Sequence, residues 1–269
     1  MNSLRTRAAI AALAFTTLGA YAATAIAADA AAPAAPAAAA APYVIPASVP
    51  AYIRKAVEST GRPAEQKARD ANRKPAEVLA LSGVKPGDTI VEFASFGQYY
   101  TAMLSDIAGP KGKVLMFDLP YTEARAGEAS RAFVAKHPNA TYTLIDYNAI
   151  ELPQNVDIVF NVLYYHDLSL NNIDAAALNA KIFKALKPGG IFFVVDHNAE
   201  AGSGTRDTKK LHRIDPAVIK QEVTAAGFEL LTESNLLAYP ADPHNQLVFT
   251  PGLRGMTDQS IFKFRKPAK

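Results

Sequence analysis

Thr89-Ile90-Val91-Glu92-Phe93-Ala94-Ser95-Phe96-Gly97-Gln98-Tyr99-Tyr100-Thr101 is the stretch whose reading decides the fold. An apolar run meets an acidic residue, then a turn around Gly97, then a segment of helical character. Such a stretch reads as a buried strand feeding a tight loop into a helix. Where a strand of this kind opens a parallel sheet, its carboxyl end and the next helix N-terminus form a ligand crevice.

Downstream the same alternation repeats. Strands are predicted at Lys113 to Phe117, Thr141 to Ile145, Val156 to Leu163 and Ile191 to Val195. Helices are predicted from Gln98 to Ile107, Thr122 to Lys136 and Ala175 to Leu186, with Gly/Pro breaks such as Lys187-Pro188-Gly189-Gly190 between elements. Asp215 caps a further helix that has Pro216 in its first position and ends at Gly227. Phe228 to Leu237 and Ser260 to Arg265 then read as two strands with no helix between them, joined by a long polar loop from Ala238 to Gln259. The pattern predicts an α/β fold: a doubly wound, mainly parallel seven-stranded sheet with an antiparallel last strand.

Upstream, Pro75 to Ser82 reads as a helix, and Tyr52 to Arg73 as two short helices broken at Gly61-Arg62-Pro63. Asp70 and Arg73, three apart, would share a helix face as a surface ion pair or as part of a lid. The helices before Pro75 and the loop from Ala238 to Gln259 are expected to cover the crevice.

Residues 1–27 have the three parts of a secretory signal: Arg5 and Arg7, the apolar stretch Ala8 to Leu18, and small residues ending at Ala25-Ile26-Ala27. The apolar stretch is mostly Ala and Thr, weaker than the roughly 18 strongly apolar residues of a membrane span. No stable membrane insertion is expected after cleavage, and the chain is expected to be periplasmic or secreted. Residues 28–42 are almost only Ala and Pro, an extended linker with no large side chain to bury. Residues 43–269 are then one domain. Absence of cysteine excludes disulfides and lipid anchoring, and scattered basic residues with a net charge of +3 give no reason to expect nucleic acid. Oligomeric state is not legible.

In a doubly wound sheet, ligands sit at the carboxyl ends of the strands. There the sequence carries Glu92, Asp118, Asp146, His166-Asp167 and Asp196-His197. One or two such tips are ordinary loop capping; five in a row point to a ligand crevice. A carboxylate at the end of the second strand can accept both hydroxyls of a ribose, the position of Asp118. Asp146 could accept from an adenine amino group, and Glu92 could orient the loop or a buried water. Tyr99, Tyr100, Tyr164 and Tyr165 could line an aromatic acceptor pocket or belong to the core. Asp167, Asp196, His197 and His212 could converge on a divalent ion, but no two stand at the spacing of a known metal motif, and no metal site is assigned.

Several stretches resemble the class I S-adenosylmethionine-dependent methyltransferases, in particular a group of exported bacterial members: R-D-A-N-R-K-P-A-E-V-L, the opening stretch itself, V-L-Y-Y-H-D-L, A-L-K-P-G-G-I-F-F-V-V-D-H, L-H-R-I-D-P and G-L-R-G-M-T-D-Q-S-I-F-K-F-R-K-P. The resemblance runs from about Lys67 to Pro267. It implies a Rossmann-like methyltransferase fold, S-adenosylmethionine as cofactor, and methyl transfer to a small molecule. It implies a cofactor held by Glu92, Ala94, Gly97, Tyr99, Asp118, Asp146, Tyr147 and Asn161, with His166, Asp167 and His197 as catalytic candidates. One departure stands out. The family follows its acidic residue with glycines at every second position, or with three in a row; here the alternate positions are Ala94, Phe96 and Gln98, and only Gly97 remains. Either the loop has been rebuilt or affinity for the cofactor is reduced. The alternative is a non-catalytic nucleoside- or ligand-binding protein on the same fold. A nicotinamide-dependent oxidoreductase is disfavoured, because its fingerprint needs the same glycines.

Overall fold

The structure, a computed structural model, describes residues 42–268. The signal segment, and the linker apart from Pro42, lie outside the described residues. Four helices lead in: α1 (Ala51–Glu58), α2 (Ala64–Lys67), α3 (Asp70–Arg73) and α4 (Pro75–Ser82). The region before Pro75 thus holds three short helices, where two were expected. Then come β1 (Thr89–Phe93), α5 (Tyr99–Ala108), β2 (Lys113–Asp118), α6 (Glu128–Lys136), β3 (Ala140–Leu144) and β4 (Val156–Val162). The second half holds α7 (Asp167–Leu170), α8 (Ala175–Ala185), β5 (Leu186–His197), α9 (Thr208–Leu211), α10 (Pro216–Ala225), β6 (Glu229–Ser234) and β7 (Gln259–Arg265).

The strands make one sheet in the order β3-β2-β1-β4-β5-β7-β6. The first five are parallel, and β7 runs antiparallel to both of its neighbours. Side chains alternate between faces with period two, which gives two buried layers. Ile90, Val114, Met116, Phe160 and Phe193 pack with α1, α4 and α5; Val91, Phe93, Val159, Phe192 and Val194 pack with α8 and α10. A strand buried on both faces reads as an unbroken apolar run, as Phe192 to Val195 does. Among the described residues no helix is long and apolar enough to cross a membrane.

Several boundaries differ from expectation, among them the starts of α6, at Glu128 rather than Thr122, and of β5. Lys187-Pro188-Gly189-Gly190 lies inside β5, because Gly189 N–H donates to Lys266 O and Lys266 N–H to Gly190 O, tying it to the end of β7. Gly189, at φ 78°, bends the chain there, and the β4–β5 register jumps across that bend. β6 in turn stops at Ser234, three residues short of the expected Leu237.

Candidate functional site

The order of the strands reverses at β1, with β2 on one side and β4 on the other, so the crevice opens above the β1–α5 loop. That loop holds a left-handed backbone of the kind glycine favours, with one glycine in it. Ala94 (φ 56°), Gly97 (φ 89°) and Gln98 (φ 46°) all lie in the left-handed region. For a residue with a Cβ this costs about 1–2 kcal/mol, so packing must hold the shape. Tyr147 supplies part of that packing: Ala94 N–H donates to its hydroxyl, and the hydroxyl donates to Phe117 O. Gln66 Nε2 donates to Gly97 O, and Gln98 Nε2 to Ser130 Oγ.

Asp118 ends β2 directly beside the loop. Its Oδ1 accepts from both the backbone N–H (2.7 Å) and the hydroxyl (3.0 Å) of Ser95, while its buried Oδ2 has no hydrogen-bond partner among the described residues. Burial raises the Asp118 pKa against the two Ser95 bonds that lower it. Glu92 is also buried, with Oε2 unpartnered. Burial pushes it up to about 8; the Thr101 hydroxyl opposes this, and the Asp118 charge adds to it. Asn161 of β4, opposite Phe93 in register, is buried with both amide atoms unpartnered. Buried polar atoms without partners are uncommon. Four of the eleven such side-chain atoms among the described residues stand at the tips of β1, β2 and β4. After β2 the chain runs through a π-helical turn, Glu123–Gly127, a geometry frequent at functional sites.

Two of the other expected cofactor contacts, Asp146 and Tyr99, have partners within the chain. Asp146 is exposed and accepts from Asn148 N–H in a local turn. Tyr99 is turned toward the leading helices: its hydroxyl donates to Asp70 Oδ1 at 2.6 Å. Asp70 pairs with Arg62 through both carboxylate oxygens, and not with Arg73. Asp70 is buried, so the surface ion pair expected from the sequence is absent; Arg73 instead lies over the Tyr99 ring at 4.4 Å. Tyr164 and Tyr165 are core residues, Tyr165 bonded to Glu222 and Asn179.

A second cluster forms where β4 and β5 end. Asp196 is its anchor. Its Oδ2 accepts from the His166 backbone N–H, and its Oδ1 meets both His166 Nδ1 (2.6 Å) and the His197 backbone N–H (2.7 Å). Asp167 Oδ1 lies 3.2 Å from His166 Nε2 and 3.0 Å from His212 Nδ1. Burial works against a charge on His166, but Asp196 and Asp167 outweigh it and raise the imidazole to about 10. Burial likewise opposes ionisation of Asp167, yet His166 and His212 hold its carboxyl well below the usual range. His197 bonds Thr257 Oγ1 through Nδ1 (2.7 Å); burial first, then the neighbouring His166 and Arg213, push it well below the usual histidine range. The three catalytic candidates therefore meet, joined by Asp196 and His212.

The loop after β6 closes over this cluster. Phe249 packs on the His212 ring at 5.2 Å, Thr257 holds His197, and Val248 N–H donates to Leu211 O. Its anchor, which the sequence did not disclose, is Arg213. Arg213 grips Asp242 through two bonds (2.8 and 2.9 Å) and reaches Gln246 O and Asn198 O. The leading helices reach the crevice through Gln66 and Gly97. Both covering elements thus stand at the carboxyl ends of the strands.

The sequence model of the ubiE/COQ5 methyltransferase family matches residues 70–206, just over half of the chain. The ubiquinone/menaquinone biosynthesis C-methyltransferase UbiE of Pasteurella multocida is 26% identical over 118 residues, 44% of this chain and 43% of that protein. The chain spans a little under half the length of the first curated relatives it matches. Among solved structures, a SAM-dependent methyltransferase from Aquifex aeolicus superposes with TM-score 0.52 at 19% identity, covering 70% of this chain and 87% of that one. The cyclase SpnF superposes with TM-score 0.56 at 17% identity, covering 79% and 86%. At these identities the structural likeness establishes the Rossmann-like fold.

Proposed function

Because the chain belongs to the ubiE/COQ5 methyltransferase family, we propose that it transfers a methyl group from S-adenosylmethionine to a small-molecule acceptor at the carboxyl end of its sheet. Asp118 Oδ2 carries this reading: a carboxylate oxygen at the tip of β2, buried and without a partner, is an acceptor suited to a ribose hydroxyl. Glu92 and Asn161 add unpartnered polar atoms to the same region, and Ala94, Gly97 and Gln98 keep a glycine-type loop backbone. The residues present therefore fit the cofactor. When bound, it supplies an electrophilic methyl on a sulfonium.

Displacement at that methyl is in-line, so much of the acceleration comes from holding the acceptor in place. His166, fixed by Asp196, and Asp167 would orient the acceptor; His197 stands beside them as a base for an acceptor that carries a proton to lose. The loop covering His212 and His197 would keep water out. The same reading has the chain exported, supported by Arg5, Arg7 and the apolar stretch behind them. A second reading, a non-catalytic nucleoside-binding protein, draws support from Phe96 and Gln98 at family glycine positions and from Ser95 occupying Asp118 Oδ1.

Calorimetric titration with S-adenosylmethionine and S-adenosylhomocysteine tests both. Micromolar binding that Asp118→Ala abolishes is the expected result. No heat from either ligand at millimolar concentration would overturn the proposal. Binding without release of S-adenosylhomocysteine across a panel of acceptors would favour the second reading.

A further inference from the structure

Three side chains at the tip of β4 and the end of α9 are arranged around a common point. His166 precedes α7, Asp167 opens it, and His212 follows α9; the Ser169 and Thr208 hydroxyls, 3.2 Å apart, tie the two helices together. One potential ligand atom from each of the three residues can be chosen so that all lie within 4.8 Å of one another. Two of the separations are 3.2 Å and 3.0 Å, from Asp167 Oδ1 to His166 Nε2 and to His212 Nδ1. Atoms each about 2.1 Å from one cation, at tetrahedral or cis-octahedral angles, stand about 3.0–3.4 Å apart. Asp167 Oδ1 is buried, and neither imidazole meets it with the alignment of a hydrogen bond. The three groups are therefore close enough to share an ion without already satisfying one another by hydrogen bonds.

The surroundings match a metal centre as well. A metal-bound histidine commonly gives its other ring nitrogen to a carboxylate, which fixes ring and tautomer. Asp196 does this for His166 at 2.6 Å and is itself held by two backbone N–H groups. Asp167 and His212 keep 15% and 24% of their side-chain surface exposed, so an ion can enter from solvent.

We propose that His166 Nε2, the Asp167 carboxylate and His212 Nδ1 bind one divalent transition cation, with Asp196 orienting His166. Two imidazoles and one carboxylate suit a borderline ion such as Zn²⁺, Fe²⁺ or Co²⁺. Three protein ligands leave a position open for an acceptor oxygen or nitrogen. With the cation bound, His166 and Asp167 are ligands and His197 remains as the base. The site goes beyond the methyl-transfer reading and stands or falls separately from it.

The test uses the full chain, free of a histidine tag and stripped with chelator, titrated with Zn²⁺ by calorimetry and with Co²⁺ by visible absorption. One ion per chain is expected, with ligand-field bands for Co²⁺. His212→Ala and Asp167→Asn, both at partly exposed positions and checked for native circular dichroism, should weaken binding by about 100-fold or more. Asp196→Asn should weaken it by about 10–100-fold at unchanged stoichiometry. His244→Ala, whose ring pairs with Asp258 and with none of the three ligands, should leave it unchanged. Lack of saturable binding of either ion at millimolar concentration would overturn the proposal. So would binding that His212→Ala and Asp167→Asn leave intact, or that His244→Ala removes.

Discussion

Glu92 has its ordinary pKa of 4.5 in an unfolded chain and about 8 in the fold, with burial as the chief cause. Below pH 4.5 the acid is neutral in both states and costs nothing. Between those values the unfolded chain gives up a proton that the folded chain keeps, so stability falls as pH rises, by on the order of 1 kcal/mol per pH unit at most. Above pH 8 the loss is complete. Glu92→Gln keeps the shape and removes the proton, so its stability should be flatter across this window and higher than wild type at pH 8. Urea unfolding at pH 5.5 and pH 8 checks it, and equal slopes for the two proteins would refute it. Ala94 offers a test of opposite kind. At φ 56° it holds a conformation that glycine adopts freely. Relief of about 1–2 kcal/mol of strain is set against about 0.4–1 kcal/mol of extra unfolded-state entropy. Ala94→Gly should therefore be stabilising by about 0.5–1 kcal/mol, read from the unfolding midpoint at constant m-value.

The loop between β6 and β7 has no helix or strand to hold it, and Arg213–Asp242 takes over that task. Both side chains have no exposed surface, and Asp242 also accepts from the His244 and Asp258 backbone N–H groups. Removing one partner strands a buried charge, which costs about 3–5 kcal/mol. Asp242→Ala should show that loss in denaturant unfolding and should open the loop to protease, while Lys220→Ala, which breaks the exposed pair with Glu233, should cost less than about 1 kcal/mol. This pair also marks where the sequence stops being readable. The strands were legible because apolar runs such as Val156 to Leu163 are bounded by Gly and Pro signals, and their acidic and histidine tips followed from the positions of the strands. What bonds to those tips was not legible, since Arg213 and Asp242 are 29 residues apart with no spacing rule to join them. The start of β5 was misjudged for a similar reason: Lys187-Pro188-Gly189-Gly190 has the local chemistry of a turn, and only β7, far along the chain, draws it into the sheet.

Taken as one molecule, the fold rests on two well-packed layers, yet it leaves buried polar atoms without partners at Glu92, Asp118 and Asn161. A ligand that supplies their partners binds the native state alone and must raise its stability, by about 2.7 kcal/mol at a hundred times its dissociation constant. Asp118 has no exposed surface, so a ribose reaches it only if neighbouring segments give way. The β1–α5 loop, with its non-glycine left-handed residues, and the π-helical turn at Glu123–Gly127 are the segments placed to do so. S-adenosylmethionine should accordingly raise the thermal midpoint in a concentration-dependent way, and slow amide exchange over residues 94–98 and 119–127 more than over the buried strands β4 and β5. Asp118→Ala should keep the fold and lose both effects. A midpoint that rises equally in Asp118→Ala would mean that the ligand binds elsewhere. A rise without any change in exchange at these two segments would mean that the crevice accepts its ligand without opening.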